Sequence, residues 1–118
     1  MKKIIYLMLT GAIFATIITS CGSSTRTPNL ENGKAIYSRA CIACHLMGVA
    51  GAAALTDKPR WEEISAKGMD VLLEHSIKGY TGAYGVMPEK GTCLDCTEKD
   101  MYDAISFMMT EAGVQIPD

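Results

Sequence analysis

Aromatic side chains are scarce in this chain of 118 residues: one Trp, two Phe and five Tyr, 7% in all. A domain of this length built from side chains alone would be short of large apolar volume at its centre. A bulky apolar group held there would supply it. Histidine is scarcer still, with only His45 and His75 available to any centre that draws on imidazole. No basic cluster stands out and the formal net charge is −2, so the electropositive footprint of a nucleic-acid binder is missing. There is no internal repeat. No segment carries a convincing strand pattern, and the class expected is all-α. The longest apolar run, from Ile4 to Ile18, is softened by Thr10, Gly11 and Thr16 and falls short of the roughly 20 apolar residues that a spanning helix needs.

That run reads instead as an export signal over residues 1–20, opened by Lys2 and Lys3. Ile18-Thr19-Ser20-Cys21 resembles the bacterial lipoprotein box, in which the cysteine is lipidated on sulfur and becomes the mature N-terminus. The alternative is an uncleaved anchor. Either way the expected location is outside the cytoplasm on a membrane. Residues 21–28 are polar, with Gly and Pro and no apolar periodicity, and make a short tether. A single domain then occupies residues 29–118.

The centre of that domain is Cys41-Ile42-Ala43-Cys44-His45. Two cysteines separated by two residues and followed at once by histidine form the attachment pattern of a c-type haem. Both thiols can reach the vinyl groups on one edge of the porphyrin, and the imidazole comes under the iron as its fifth ligand. The rival readings are a redox pair, or half a zinc site with a histidine beside it.

Around this motif the helices can be placed. Asn29 caps a first helix whose inward stripe is Leu30, Gly33, Tyr37 and Ala40, ending at the cysteines. Gly33 in mid-helix costs roughly 1 kcal/mol against Ala, which calls for a close approach of another helix. Residues 46–56 are rich in Gly and Ala and read as a loop. Asp57 caps a short helix with Pro59 in its first turn and Trp61 on it, closing at Gly68. Met69 to Lys78 forms the next, with Met69, Leu72, Leu73 and Ile77 on one face and His75 roughly opposite, in solvent. Tyr80 to Thr97 reads as loop. The last helix opens at Thr97-Glu98-Lys99-Asp100, turns Met101, Ala104, Ile105 and Met108 inward, and closes at Gly113.

A haem on His45 has an open sixth position unless the chain fills it. Of eight methionines, most serve as adaptable packing. Met87 is the candidate ligand: it lies far enough downstream to pass round the ring and return on the other face, and Pro88 biases it toward an extended backbone.

On these residues the chain resembles the class I cytochromes c, in particular the short bacterial branch with a Met-Pro ligand loop followed by a Cys-x-x-Cys pair and the C-terminal helix. The resemblance runs from Asn29 to Ala112. It rests on Gly33, Tyr37, Cys41, Cys44, His45, the loop Gly48-Val49-Ala50-Gly51-Ala52, Asp57, Trp61, Lys67-Gly68, Met87-Pro88, Lys90-Gly91, Cys93, Cys96 and Phe107. It implies about four helices around one covalent haem, with Trp61 in the pocket and the first and last helices crossing at the glycine and aromatic positions. Where relatives place a proline whose carbonyl accepts from the axial histidine, this chain has Ala53, which keeps the carbonyl. Cys93 and Cys96 pair by default in an oxidising compartment, and in the family such a pair clips the ligand loop. The rival is a zinc site shared with Cys41 and Cys44.

The function expected is a membrane-tethered, single-haem carrier passing one electron between redox partner proteins, with no small-molecule substrate and no enzymatic activity of its own. Two other readings differ in observable ways. A sensor of gas or peroxide needs a displaceable Met87, and a zinc-ribbon interaction module would be colourless.

Overall fold

A computed structural model describes residues 26–118. The expected export signal, Cys21 as the expected lipidation site, and most of the expected tether lie outside the described residues. Among those described, no helix is long and apolar enough to cross a membrane.

The first helical run starts at α1 (Leu30–Ile36), capped by the Asn29 side chain, which accepts from the Asn32 N–H. It continues through a five-residue π turn, Tyr37–Cys41, in which the Ile42 N–H reaches back to the Tyr37 carbonyl, and ends in α2 (Ile42–His45). After a loop, α3 (Lys58–Ser65) is capped by Asp57 with proline in its first turn, and α4 (Met69–Lys78) is bounded by Gly68 and Gly79. Both flanking glycines have φ near +80° (83° and 81°), where a side chain would be strained. The chain ends with α5 (Glu98–Glu111), opened by a reciprocal Thr97–Asp100 capping box.

Residues 80–87 depart from the loop reading. β1 (Tyr80–Gly82) and β2 (Gly85–Met87) form an antiparallel hairpin in the register Tyr80–Met87, Thr81–Val86, Gly82–Gly85. Strands of three residues are too short to carry a readable alternation, and glycines at the inner ends mask what little there is.

The frame is the crossing of α1 over α5. A Cβ built on Gly33 would sit 2.1 Å from the Asp103 carbonyl oxygen and 2.9 Å from Phe107 Cβ, so glycine is required by contact. Tyr37 packs its ring on Phe107, with centroids 5.4 Å apart. The expected inward stripe of α1 is only half right. Gly33 and Tyr37 are buried, but Leu30 is 38% exposed and Ile36 is buried in its place. Polar groups displace Leu30 at that end of the crossing. The Asn29 N–H donates to Asp103 Oδ1 at 2.9 Å, the Asn32 amide to Asp100 Oδ1 at 3.0 Å and Asp103 Oδ2 at 2.9 Å, and Lys99 Nζ to Asp103 Oδ2 at 2.9 Å. Asp103 is thus fully buried yet satisfied, as a buried carboxylate must be. The inward members of α5, Met101, Ala104, Ile105 and Met108, are all buried; on α4 Met69, Leu72 and Leu73 are buried and Ile77 packs against them at the edge.

These contacts set two expectations. Gly33→Ala destabilises by about 2 kcal/mol or more, the overpacking range for a site whose neighbour is backbone, read as a lowered urea midpoint. The second concerns acid. The Asn32 amide, then the Thr97 N–H and hydroxyl, depress Asp100 to about 2. Asp103, which burial alone would push up, is held below its ordinary value by Asn32, Asn29 and Lys99. A depressed carboxylate contributes stability that is present above its unfolded pKa and lost as pH falls through the folded value. Asn32→Ala is therefore expected to cost about 1–2 kcal/mol at neutral pH and progressively less as pH falls toward 2, measured by urea denaturation at several pH values.

Candidate functional site

The π turn and α2 deliver Cys41, Cys44 and His45 in one short stretch. Cys41 is buried and Cys44 half-buried, and both are free thiols. Burial, with Cys44 nearby as a lesser cause, pushes the Cys41 thiol up to about 11, so it stays protonated at neutral pH.

His45 is oriented by the loop that follows it. The Leu55 N–H returns to the His45 carbonyl at 2.9 Å, and that closure brings the Ala53 carbonyl to 2.9 Å from His45 Nδ1. A carbonyl can only accept, so Nδ1 carries the proton and the lone pair is on Nε2. Burial lowers the imidazole pKa, outweighing the Ala53 bond, and Arg60 lowers it further. The ring is therefore neutral at pH 7, with one nitrogen oriented by the protein and the other free to bind a metal. The carbonyl retained at Ala53 does the work expected of it.

Trp61, on α3, is buried with its ring centroid 5.8 Å from that of His45, and its Nε1–H donates to the Ala54 carbonyl at 2.8 Å. Arg60, beside it, donates to the Gly51 carbonyl at 2.6 Å and to the Ala52 carbonyl at 3.4 Å. Four successive carbonyls, Gly51 to Ala54, thus each accept from a side chain that faces the site. Nothing in the spacing singled out Arg60, because its partners are backbone atoms of a loop with no pattern.

Met87 ends β2, half-buried, across the hairpin from Tyr80. The hairpin lies against the loop that follows His45: a Cβ on Gly51 would fall 1.7 Å from the Tyr84 carbonyl oxygen, and one on Gly85 2.2 Å from that of Ala50. His75 is not simply solvated, as its place on α4 suggested. It is half-buried, and its ring stacks on Tyr80 at 4.1 Å with 19° between planes. The aromatic face offered by the hairpin explains the difference.

The Cys93 and Cys96 sulfurs are at bonding distance, 2.02 Å. Arg39, from the π turn, reaches Cys93 Sγ at 2.6 Å, Cys96 Sγ at 3.0 Å and Asp95 Oδ2 at 3.1 Å. Among the described residues the cysteine, histidine and carboxylate groups that converge are Cys93, Asp95 and Cys96, without Cys41 or Cys44. The four-cysteine zinc site is thereby overturned.

Residues 28–108 match the family described as cytochrome C oxidase, cbb3-type, subunit III. Cytochrome c-555 of Chlorobaculum thiosulfatiphilum is 40% identical over 80 residues, 68% of this chain and 93% of that protein. Cytochrome c5 of Ectopseudomonas mendocina is 37% identical over 75 residues, covering 62% and 82%. This chain belongs to the cytochrome c family. Solved structures agree. A cytochrome c in an electron-transfer complex with nitrite reductase superposes with a TM-score of 0.63 at 36% identity, over 73% of this chain and 99% of that one. A mono-haem ferrocytochrome c from Shewanella putrefaciens gives 0.55 at 45% identity, over 64% and 89%.

As a member, this cytochrome carries one covalently bound haem c and serves electron transfer outside the cytoplasm, as a carrier rather than an enzyme. Its donor set fits that group. Of two Cys-x-x-Cys pairs, only the one beside the histidine has free thiols, and the histidine next to it is neutral with Nε2 available. Trp61→Phe would remove one of the two donors to the Ala54 carbonyl, which keeps the Asp57 N–H at 3.0 Å. We expect a loss of about 1 kcal/mol in urea unfolding of the haem-loaded protein, with the haem still attached.

Proposed function

We propose that this cytochrome is a membrane-tethered electron carrier whose haem is attached through Cys41 and Cys44 and ligated by His45 and Met87. The observation that carries the reading is the Nδ1–H of His45 donated to Ala53, which leaves Nε2 as the metal-facing nitrogen. Bound haem supplies an iron that takes up and releases one electron. Everything else falls to the chain. Cys41 and Cys44 fix the porphyrin edge by thioether bonds; Ala53 holds the His45 ring in one orientation and strengthens it as a ligand; and Trp61 closes the pocket beside it. The thioether of Met87 is a soft ligand that favours the reduced state and so raises the potential. With Met87 as a ligand, small molecules would be kept off the metal. Cys93 and Cys96, oxidised to each other with Arg39 against both sulfurs, clip the segment after Met87-Pro88 to the helix that bears the attachment cysteines.

The lipid on Cys21 and the tether of residues 21–28 hold the domain close to a bacterial membrane, on its periplasmic side. The structural relative is found in an electron-transfer complex with nitrite reductase, and a reductase is the class of redox partner proposed for this cytochrome.

Visible spectroscopy with mutants tests this. Haem should survive acid acetone in the wild type and be lost from Cys41→Ala with Cys44→Ala. The ferric wild type should show the weak far-red methionine–iron band, absent in Met87→Ala, whose ferrous form should bind carbon monoxide readily. Rapid carbon monoxide binding by the wild type would remove Met87 from the site. In cell fractionation, Cys21→Ala should release the protein from membranes or leave its signal uncleaved, because stable anchoring takes more than one acyl chain.

A further inference from the structure

The hairpin that carries Met87 and the loop that orients His45 are joined by one side chain. Arg60 is half-buried between them, its guanidinium 4.0 Å from the centroid of the Tyr84 ring at the hairpin tip. Its two terminal nitrogens donate to the carbonyls of Gly51 and Ala52. Tyr84 is 61% exposed, so the guanidinium supplies cover on an otherwise open ring. Beneath this contact Gly51 and Gly85 meet backbone to backbone, where no Cβ fits. Arg60 itself is held from below: its N–H donates to Asp57, the cap of α3.

We propose that Arg60 is a positioning residue for the sixth ligand, locking the Met87 hairpin to the loop that holds His45. The proposal rests on Met87 as ligand. Two contacts of different kinds meet in one planar group: charge-assisted hydrogen bonds to carbonyls on one side and a cation over an aromatic face on the other. Lysine can supply the charge but not the fork. The hairpin buries little apolar surface, Tyr84 at its tip and Val86 on β2 both being exposed. It therefore belongs to the part of the fold that opens at least cost, and a single clamp can set how often Met87 leaves its place.

The test is imidazole binding to the ferric, haem-loaded protein, since imidazole takes the sixth position only when the methionine leaves it. Arg60→Ala should raise imidazole affinity about tenfold, the equivalent of losing one charge-assisted contact. Tyr84→Ala should act in the same direction, and the double variant should add little to the larger single effect. Arg60→Lys should fall between wild type and Arg60→Ala. Asn32→Ala, which destabilises the fold at the far helix crossing, is the control for a merely structural effect and should leave imidazole affinity unchanged. Hydrogen exchange of the residue 83–87 amides should quicken in Arg60→Ala but not in Asn32→Ala. Equal affinities in Arg60→Ala and Asn32→Ala would overturn the proposal. A wild type without the far-red band would instead remove Met87 as ligand, and faster exchange in Arg60→Ala would then still report the clamp.

Discussion

One backbone contact governs the layout. α1 can lie on α5 only because position 33 has no side chain to hold it off the Asp103 carbonyl. α1 runs on through the π turn into Cys41, Cys44 and His45, and α5 is the last helix of the domain, so this crossing joins its two ends. It also decides which polar groups are buried. With the helices so close, the end of the crossing at Asn29 cannot hold a large side chain such as Leu30. Asn29, Asn32 and Lys99 converge there on Asp103 instead. A buried carboxylate with a full set of donors is more sensitive to geometry than an apolar contact of equal area, and it pins the crossing in one register.

From that frame the pocket is assembled mostly by backbone acceptors. Gly51 to Ala54 offer carbonyls in sequence, and Arg60, His45 and Trp61 each bring a donor to them. A loop without regular structure has main-chain acceptors to spare. Here they are used to hold three long side chains in fixed directions, and the side chains in return keep the loop from wandering. This accounts for a Gly- and Ala-rich segment beside a site that needs rigidity.

Local chemistry made the sequence legible where it acts alone. Asn29, Asp57 and Thr97 announce helix starts because a side-chain oxygen can satisfy the first free N–H groups, and Gly68 and Gly79 bound α4 because few other residues tolerate their φ. Cys-x-x-Cys-His is readable because thioether and imidazole chemistry fix its spacing. What stayed hidden depends on distant partners. The hairpin of residues 80–87 exists because Gly85 packs on Ala50, 35 positions away. His75 finds a ring to stack on only once that hairpin forms. Asp103 looks like a helix-surface acid until α1 covers it. Arg39 and Arg60, which matter most around the site, bind sulfur and carbonyl oxygen, and such partners leave no trace in a pattern of side chains.

The π turn at Tyr37–Cys41 sets the phase between the crossing and the pocket. Such a turn accommodates one more residue than an α-helix would in the same span. Gly33 lies before it and Cys44 after it, so the turn takes up one residue of the linking sequence while the face that meets α5 and the face that carries Cys44 and His45 keep nearly the relation a regular helix would give them. Deleting one residue there would restore regular winding over the same span, whereas deleting one from the regular turns of α1 would swing Cys41, Cys44 and His45 about 100° round the helix axis. A one-residue gap between the glycine and the first cysteine is therefore close to a neutral length difference when it falls in this turn, and a change of azimuth for Cys44 and His45 when it falls elsewhere.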